Sequence, residues 1–125
     1  MHSLYIEKTE LTPLVMFDKE SSFLKMEGKM IPENVEEIFF PIHEWLDNYF
    51  EANNKLDLLF RLYYYNTSSA RQFFILYKKL DGYFEKGKNV FVRWEYEDGD
   101  EDSMADAQEF LKGARFSHEI VPVTA

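Results

Sequence analysis

Leu56-Asp57-Leu58-Leu59-Phe60-Arg61-Leu62-Tyr63-Tyr64-Tyr65-Asn66-Thr67-Ser68-Ser69 is the stretch whose reading decides the fold. Its first part alternates. Leu56, Leu58, Phe60, Leu62 and Tyr64 fall on one face, and Asp57, Arg61, Tyr63 and Tyr65 on the other. Period-two spacing in an aromatic-rich run predicts a strand with one face on a core. From Ala70 the period changes, because Phe73, Leu76, Tyr77, Leu80 and Phe84 recur at helical spacing. Between the two lie Asn66, Thr67, Ser68 and Ser69, residue types that cap helices through a side-chain oxygen accepting a first-turn N–H. The stretch therefore reads as strand, polar turn and helix start, with the helix running from Ser69. Hydroxyls there stand beside free backbone donors and the positive end of the helix dipole, a setting that suits a phosphate.

Outward from this unit, the chain holds one domain, residues 1–125. Leu14–Phe17 and Ser22–Glu27 form a hairpin closed by Gly28. A helix opens at Pro32-Glu33-Asn34 with the stripe Val35, Ile38, Phe39, Ile42, Trp45, Leu46 and Tyr49, and Pro41 inside it predicts a kink or a restart. Beyond the central unit, Val90, Val92, Trp94 and Tyr96 alternate in a strand from Asn89 to Tyr96. A short helix carries Met104, Ala107, Phe110 and Leu111, and Arg115–Val121 adds a possible last strand. Strands joined through helices pair in parallel by right-handed crossovers. Because the strands keep charge on one face, the helices are expected on one side of a mixed sheet. Leu56–Tyr65 is expected at its centre beside Val90–Tyr96.

The composition supplies a core: 46% of residues are hydrophobic, with 12 Phe, 8 Tyr and 2 Trp. A chain of 125 residues buries about two-thirds of its unfolded surface. The 23 acidic and 14 basic residues leave a net charge of -9. That field repels phosphate backbones and anionic lipid, which disfavours nucleic acid and membrane surfaces as partners. Cysteine is absent, so thiol nucleophiles and disulfides are excluded. No basic-then-apolar leader and no bilayer-length apolar run is present, and a cytoplasmic location is expected.

Catalytic signatures are sparse. His2, His43 and His118 have no partners at metal-binding spacing, and the 5 glycines never cluster into a nucleotide-cradling loop. Ser68 and Ser69 lack a nucleophile elbow. Asn66-Thr67-Ser68 spells a glycosylation sequon, which a cytoplasmic chain does not use. No cofactor is implied. Three classes of function stay open on residues alone: a binding module controlled at the hydroxyl turn, a small enzyme using Thr67 or Ser68, and a structural oligomerisation domain.

At this turn the sequence resembles the SiaC family of bacterial regulatory phosphoproteins. The likeness runs through Thr12-Pro13, Gly28, Pro32-Glu33-Asn34, Phe39-Phe40-Pro41 with Trp45, Tyr64-Tyr65-Asn66-Thr67-Ser68-Ser69, Trp94-Glu95-Tyr96, the acidic run to Asp102, and Glu109-Phe110. It departs at Met30-Ile31, where Ser-Tyr is expected, and at Arg71, where lysine is expected. The resemblance implies a fold similar to anti-sigma-factor antagonist (STAS) domains: a mixed sheet with helices mainly on one face. It also implies a non-enzymatic switch, phosphorylated by a partner kinase on the threonine matched by Thr67 and restored by a PP2C-type phosphatase. The unphosphorylated form would bind and activate a diguanylate cyclase, promoting biofilm or aggregation. Asn66, Ser68, Ser69, Arg71 and Tyr65 then belong to the phospho-turn and its partner surface.

Asp98, Asp100, Asp102, Asp106 and Glu109 match ligand positions of a calcium-binding helix–loop–helix loop, but Ser103 stands where that loop needs glycine and a strand precedes it. A solvated acidic turn leading into a helix accounts for the run. Calorimetry should show calcium affinity no tighter than about millimolar. Micromolar binding abolished by Asp100→Asn would contradict this.

Overall fold

The computed structural model describes residues 3–124; His2 and the chain ends lie outside them. Six strands form one sheet: β1 (Tyr5–Ile6), β2 (Leu14–Asp18), β3 (Phe23–Met30), β4 (Lys55–Tyr65), β5 (Asn89–Glu97) and β6 (Ser117–Val123). Three helices connect the last four: α1 (Glu36–Ala52), α2 (Thr67–Glu85) and α3 (Glu101–Leu111). The strand order is β1-β2-β3-β4-β5-β6. β1, β2 and β3 are antiparallel, whereas β3 to β6 run parallel.

This order explains the layering. Each crossover moves to the adjacent strand in the same direction, and right-handed crossovers then lay all three helices on one face. Leu56, Leu58, Phe60 and Leu62 of β4 and Val90, Val92 and Trp94 of β5 are buried under them. The mixed sheet with helices on one side, and β4 between β3 and β5, agree with the sequence reading. Parallel sheets are generally covered on both faces. Here the open face is lined instead by ion pairs: Lys25–Glu27 at 3.1 Å, Arg93–Glu95 at 3.3 Å and Arg93–Glu119 at 3.6 Å.

Several boundaries differ from expectation. β1 has two residues, too few to show a period. β3 does not stop at Gly28. That residue takes φ +131°, and a Cβ there would lie 3.2 Å from Pro13 Cα, so glycine lets the strand continue to Met30. The last strand is shifted toward the C-terminus and carries Pro122 on a sheet edge, where a missing donor is tolerated. α1 runs through Pro41 as one element, without a restart. Pro41 is exposed, so water can take the carbonyl that loses its donor. In α2, Phe84 is 37% exposed, and Tyr83 packs inward instead, 4.5 Å from the Phe50 ring.

Phe73 is the hub of the helix–sheet core. Its ring lies 5.8 Å from Phe39, 5.7 Å from Tyr65, 5.3 Å from Trp94 and 5.2 Å from Phe110. It therefore joins all three helices to β4 and β5. Phe73→Ala should cost about 3–5 kcal/mol in urea unfolding, the usual range for emptying a buried aromatic site. Phe84→Ala, on the same helix but exposed, should cost less than about 1 kcal/mol. Equal losses at the two positions would show that the core is not organised this way.

Candidate functional site

The site begins with one extra residue in β4. Gly28 pairs with Leu62, but Lys29 pairs with Tyr64, so Tyr63 bulges from the ladder. Adding one residue exchanges the faces of everything after it. Tyr64 consequently leaves the core side and is 61% exposed, with Lys29 Nζ 5.6 Å from its ring centroid. Tyr65 turns inward, opposite to its alternation-based assignment. It packs against Phe73, Trp94 and Phe110, and its hydroxyl donates to Asp106 Oδ2 at 2.8 Å. Burial, and then the Asp106 carboxylate, raise the Tyr65 pKa well above its ordinary value, so the phenol stays a donor. The end of β4 is thereby fastened to α3.

The turn follows directly. Asn66 keeps an extended backbone and caps α2: its Oδ1 accepts from Ser69 N at 2.9 Å, and its carbonyl accepts from Ala70 N at 2.9 Å. The cap starts the helix at Thr67, two residues earlier than the expected start at Ser69. Thr67 and Ser68 thus occupy the first helical positions, both exposed. Among the described residues their backbone N–H groups and hydroxyls have no hydrogen-bond partner. Ser69 is buried, and its Oγ donates to the Met30 carbonyl at 2.8 Å, tying α2 to the end of β3. Arg71 is exposed one turn after Thr67, with no ion-pair partner among the described residues.

The six residues singled out from the sequence therefore divide. Thr67, Ser68 and Arg71 present a surface; Asn66 shapes it; Tyr65 and Ser69 hold it from below. Two unpaired N–H groups, a helix dipole and a guanidinium together favour an anion at the Thr67 hydroxyl. Among the described residues no side chain is hydrogen-bonded to either exposed hydroxyl, the contact by which a base activates a nucleophile. Among the described residues no three His, Cys, Asp or Glu side chains are grouped to hold a metal ion. Asp100 instead caps α3 through Ser103 N at 3.0 Å.

Periodicity did not single out three exposed apolar residues of the helix layer: Phe40 at 69%, Phe74 at 44% and Ile75 at 47%. Their signal was present. Phe39-Phe40 and Phe73-Phe74-Ile75-Leu76-Tyr77 hold more consecutive apolar residues than one helical face can bury. The Asp106 partner of Tyr65 and the Met30 carbonyl under Ser69 left no local signal, being set by tertiary approach.

The comparisons with known proteins point one way. The model of the SiaC family regulatory phosphoproteins matches residues 6–123. An uncharacterised protein of Pseudomonas aeruginosa strain UCBPP-PA14 is 31% identical over 117 residues, covering 93% of each chain. The crystal structure of apo-SiaC from Pseudomonas aeruginosa superposes with a TM-score of 0.88 at 30% identity, over 97% of this chain and 99% of that one. SiaC is also solved in complex with the diguanylate cyclase SiaD, whose activator it is. The matched chain of that complex gives a TM-score of 0.90 at 30% identity, over 96% and 99% of the two chains. With its fold and nearly its whole length matched, this chain belongs to the SiaC family of regulatory phosphoproteins.

Proposed function

We propose that this protein is a cytoplasmic, non-enzymatic switch whose unphosphorylated form binds and activates a diguanylate cyclase. A partner kinase phosphorylates Thr67, and a PP2C-type phosphatase restores it. The observation that carries this reading is Thr67 itself: an exposed hydroxyl on the first position of a capped helix, one turn from Arg71, with no hydrogen-bond partner among the described residues. The Pseudomonas aeruginosa SiaC–SiaD complex supports a cyclase as the effector. A reading of Thr67 or Ser68 as a catalytic nucleophile is not favoured, since among the described residues neither hydroxyl is hydrogen-bonded to the base that such chemistry uses. No helix of the described residues is long and apolar enough to cross a membrane.

The energetics fit a switch rather than a disruption. Phosphate adds about -1.5 to -2 charges and three acceptor oxygens. At the α2 N-terminus it meets unpaired N–H groups and Arg71, worth up to roughly 2 kcal/mol of attraction. The net charge of -9 opposes it, but charges beyond about 8 Å are screened at physiological salt. The folded chain therefore tolerates the anion. A partner seated over Thr67 would have to desolvate it, and there the balance reverses.

Three forms of the chain test this: unmodified, Thr67→Ala and Thr67→Asp, each measured for cyclase affinity and thermal unfolding. Thr67→Ala should bind as tightly as the unmodified chain. Thr67→Asp should bind on the order of a hundredfold more weakly, a loss of about 3 kcal/mol. Their unfolding midpoints should agree within about 3 °C. Equal affinity of Thr67→Asp, or a collapse of its unfolding midpoint, would overturn the switch.

A further inference from the structure

The sheet forks. β4 and β5 pair only as far as Phe60 and Trp94. Beyond that point β4 continues on β3, ending with Tyr65 opposite Met30, and β5 continues on β6, ending with Glu97 opposite Val123. The strand edges after Phe60 and Trp94 thus take no ladder partner from one another, and a cavity of about 240 Å³ opens between them. It lies at the carboxyl ends of two parallel strands.

The lining selects the ligand. Tyr63, Tyr64 and Tyr96 supply aromatic rings. Two of the charges are engaged with partners outside the cavity. Glu95 pairs with Arg93 at 3.3 Å, and Arg61 approaches Glu27 at 4.0 Å. Glu97 and Asp100 have no ion-pair partner among the described residues, and the connection beside them adds Asp98, Glu101 and Asp102. Arg61 Nε is buried without a hydrogen-bond partner, a donor waiting for an acceptor oxygen. An aliphatic stem along tyrosine rings, a cation at carboxylates and a carbonyl for an N–H donor together describe one kind of guest. We infer that the fork is a binding site for a short basic segment of a protein partner. One arginine or lysine side chain enters the cavity, and the flanking peptide meets the freed strand edges, as in recognition by strand addition. This site is separate from the Thr67 turn and does not depend on the reading given to it.

The test is a titration of the isotopically labelled full chain, followed by backbone amide shifts at about 0.15 M salt. The probe is a capped five-residue peptide with one central arginine. Its counterpart carries citrulline, which keeps the shape and removes the charge. The arginine peptide should move the amides of residues 61–64 and 95–97 saturably. The citrulline peptide, and the arginine peptide on the Glu97→Gln/Asp100→Asn chain, should each bind at least tenfold more weakly. Agmatine, which has the cation but no peptide, should also bind more weakly. The proposal fails if citrulline binds as well as arginine, or if the peptide moves other residues or none. Agmatine matching the peptide would make this a site for free amines and overturn the protein source. Inorganic phosphate moving the same amides instead would make Arg61 the centre of an anion site and overturn the proposal outright.

Discussion

One additional residue governs the end of the central strand. If β4 kept strict alternation, Tyr65 would stand on the open face and Tyr64 would point at the helices. The bulge at Tyr63 exchanges them, and Tyr65 enters the aromatic cluster around Phe73 with its hydroxyl on Asp106. Everything functional follows within four residues. With Tyr65 fixed, Asn66 is placed to cap α2, Ser69 reaches the Met30 carbonyl, and Thr67 and Ser68 are left outside. The exposure of the hydroxyls is a consequence of what their neighbours bury. Gly28 on the facing strand is part of the same device, since its positive φ sits where the register slips.

The one-sided layering sets what the rest of the molecule can offer. Because the strand order never reverses, no crevice forms between helices on opposite faces, where doubly wound folds hold their nucleotides. The chain keeps instead an open face stitched by Lys25–Glu27 and Arg93–Glu95–Glu119, and a fork between β4 and β5. Partly exposed pairs of this kind contribute little stability each, about 0–1 kcal/mol. Their use here is to let one face of a parallel sheet stand in water. Stability rests on the helix side, where Trp94, Phe73 and Phe110 are buried.

Local sequence carried the architecture well. Alternation from Leu56 to Leu62, the stripe read from Val35 to Tyr49, which lies in α1 from Ile38 onward, and the capping chemistry at Asn66 were all legible, because each depends on a period or a cap spanning a few residues. The failures share a cause as well. The faces of Tyr64 and Tyr65 are decided by pairing with Lys29 and Met30, far away in sequence. The inward role of Ser69 depends on the same distant strand. Pro41 looked like a break because its donor is missing, yet exposure makes that loss cheap. Four successive cap-forming residues, Asn66 to Ser69, leave the start of α2 ambiguous in sequence, and the structure resolves it at Asn66 as the cap.

The central claim is that Thr67 is the residue through which this protein is switched. Fragment-ion mass spectrometry of the protein isolated from its native cells tests it most directly, with samples taken at high and at low cyclic di-GMP. The account predicts a phosphate on Thr67 in a substantial fraction of molecules, larger when cyclic di-GMP is low. Phosphate confined to other residues, or a Thr67 that stays unmodified in both states, would contradict it.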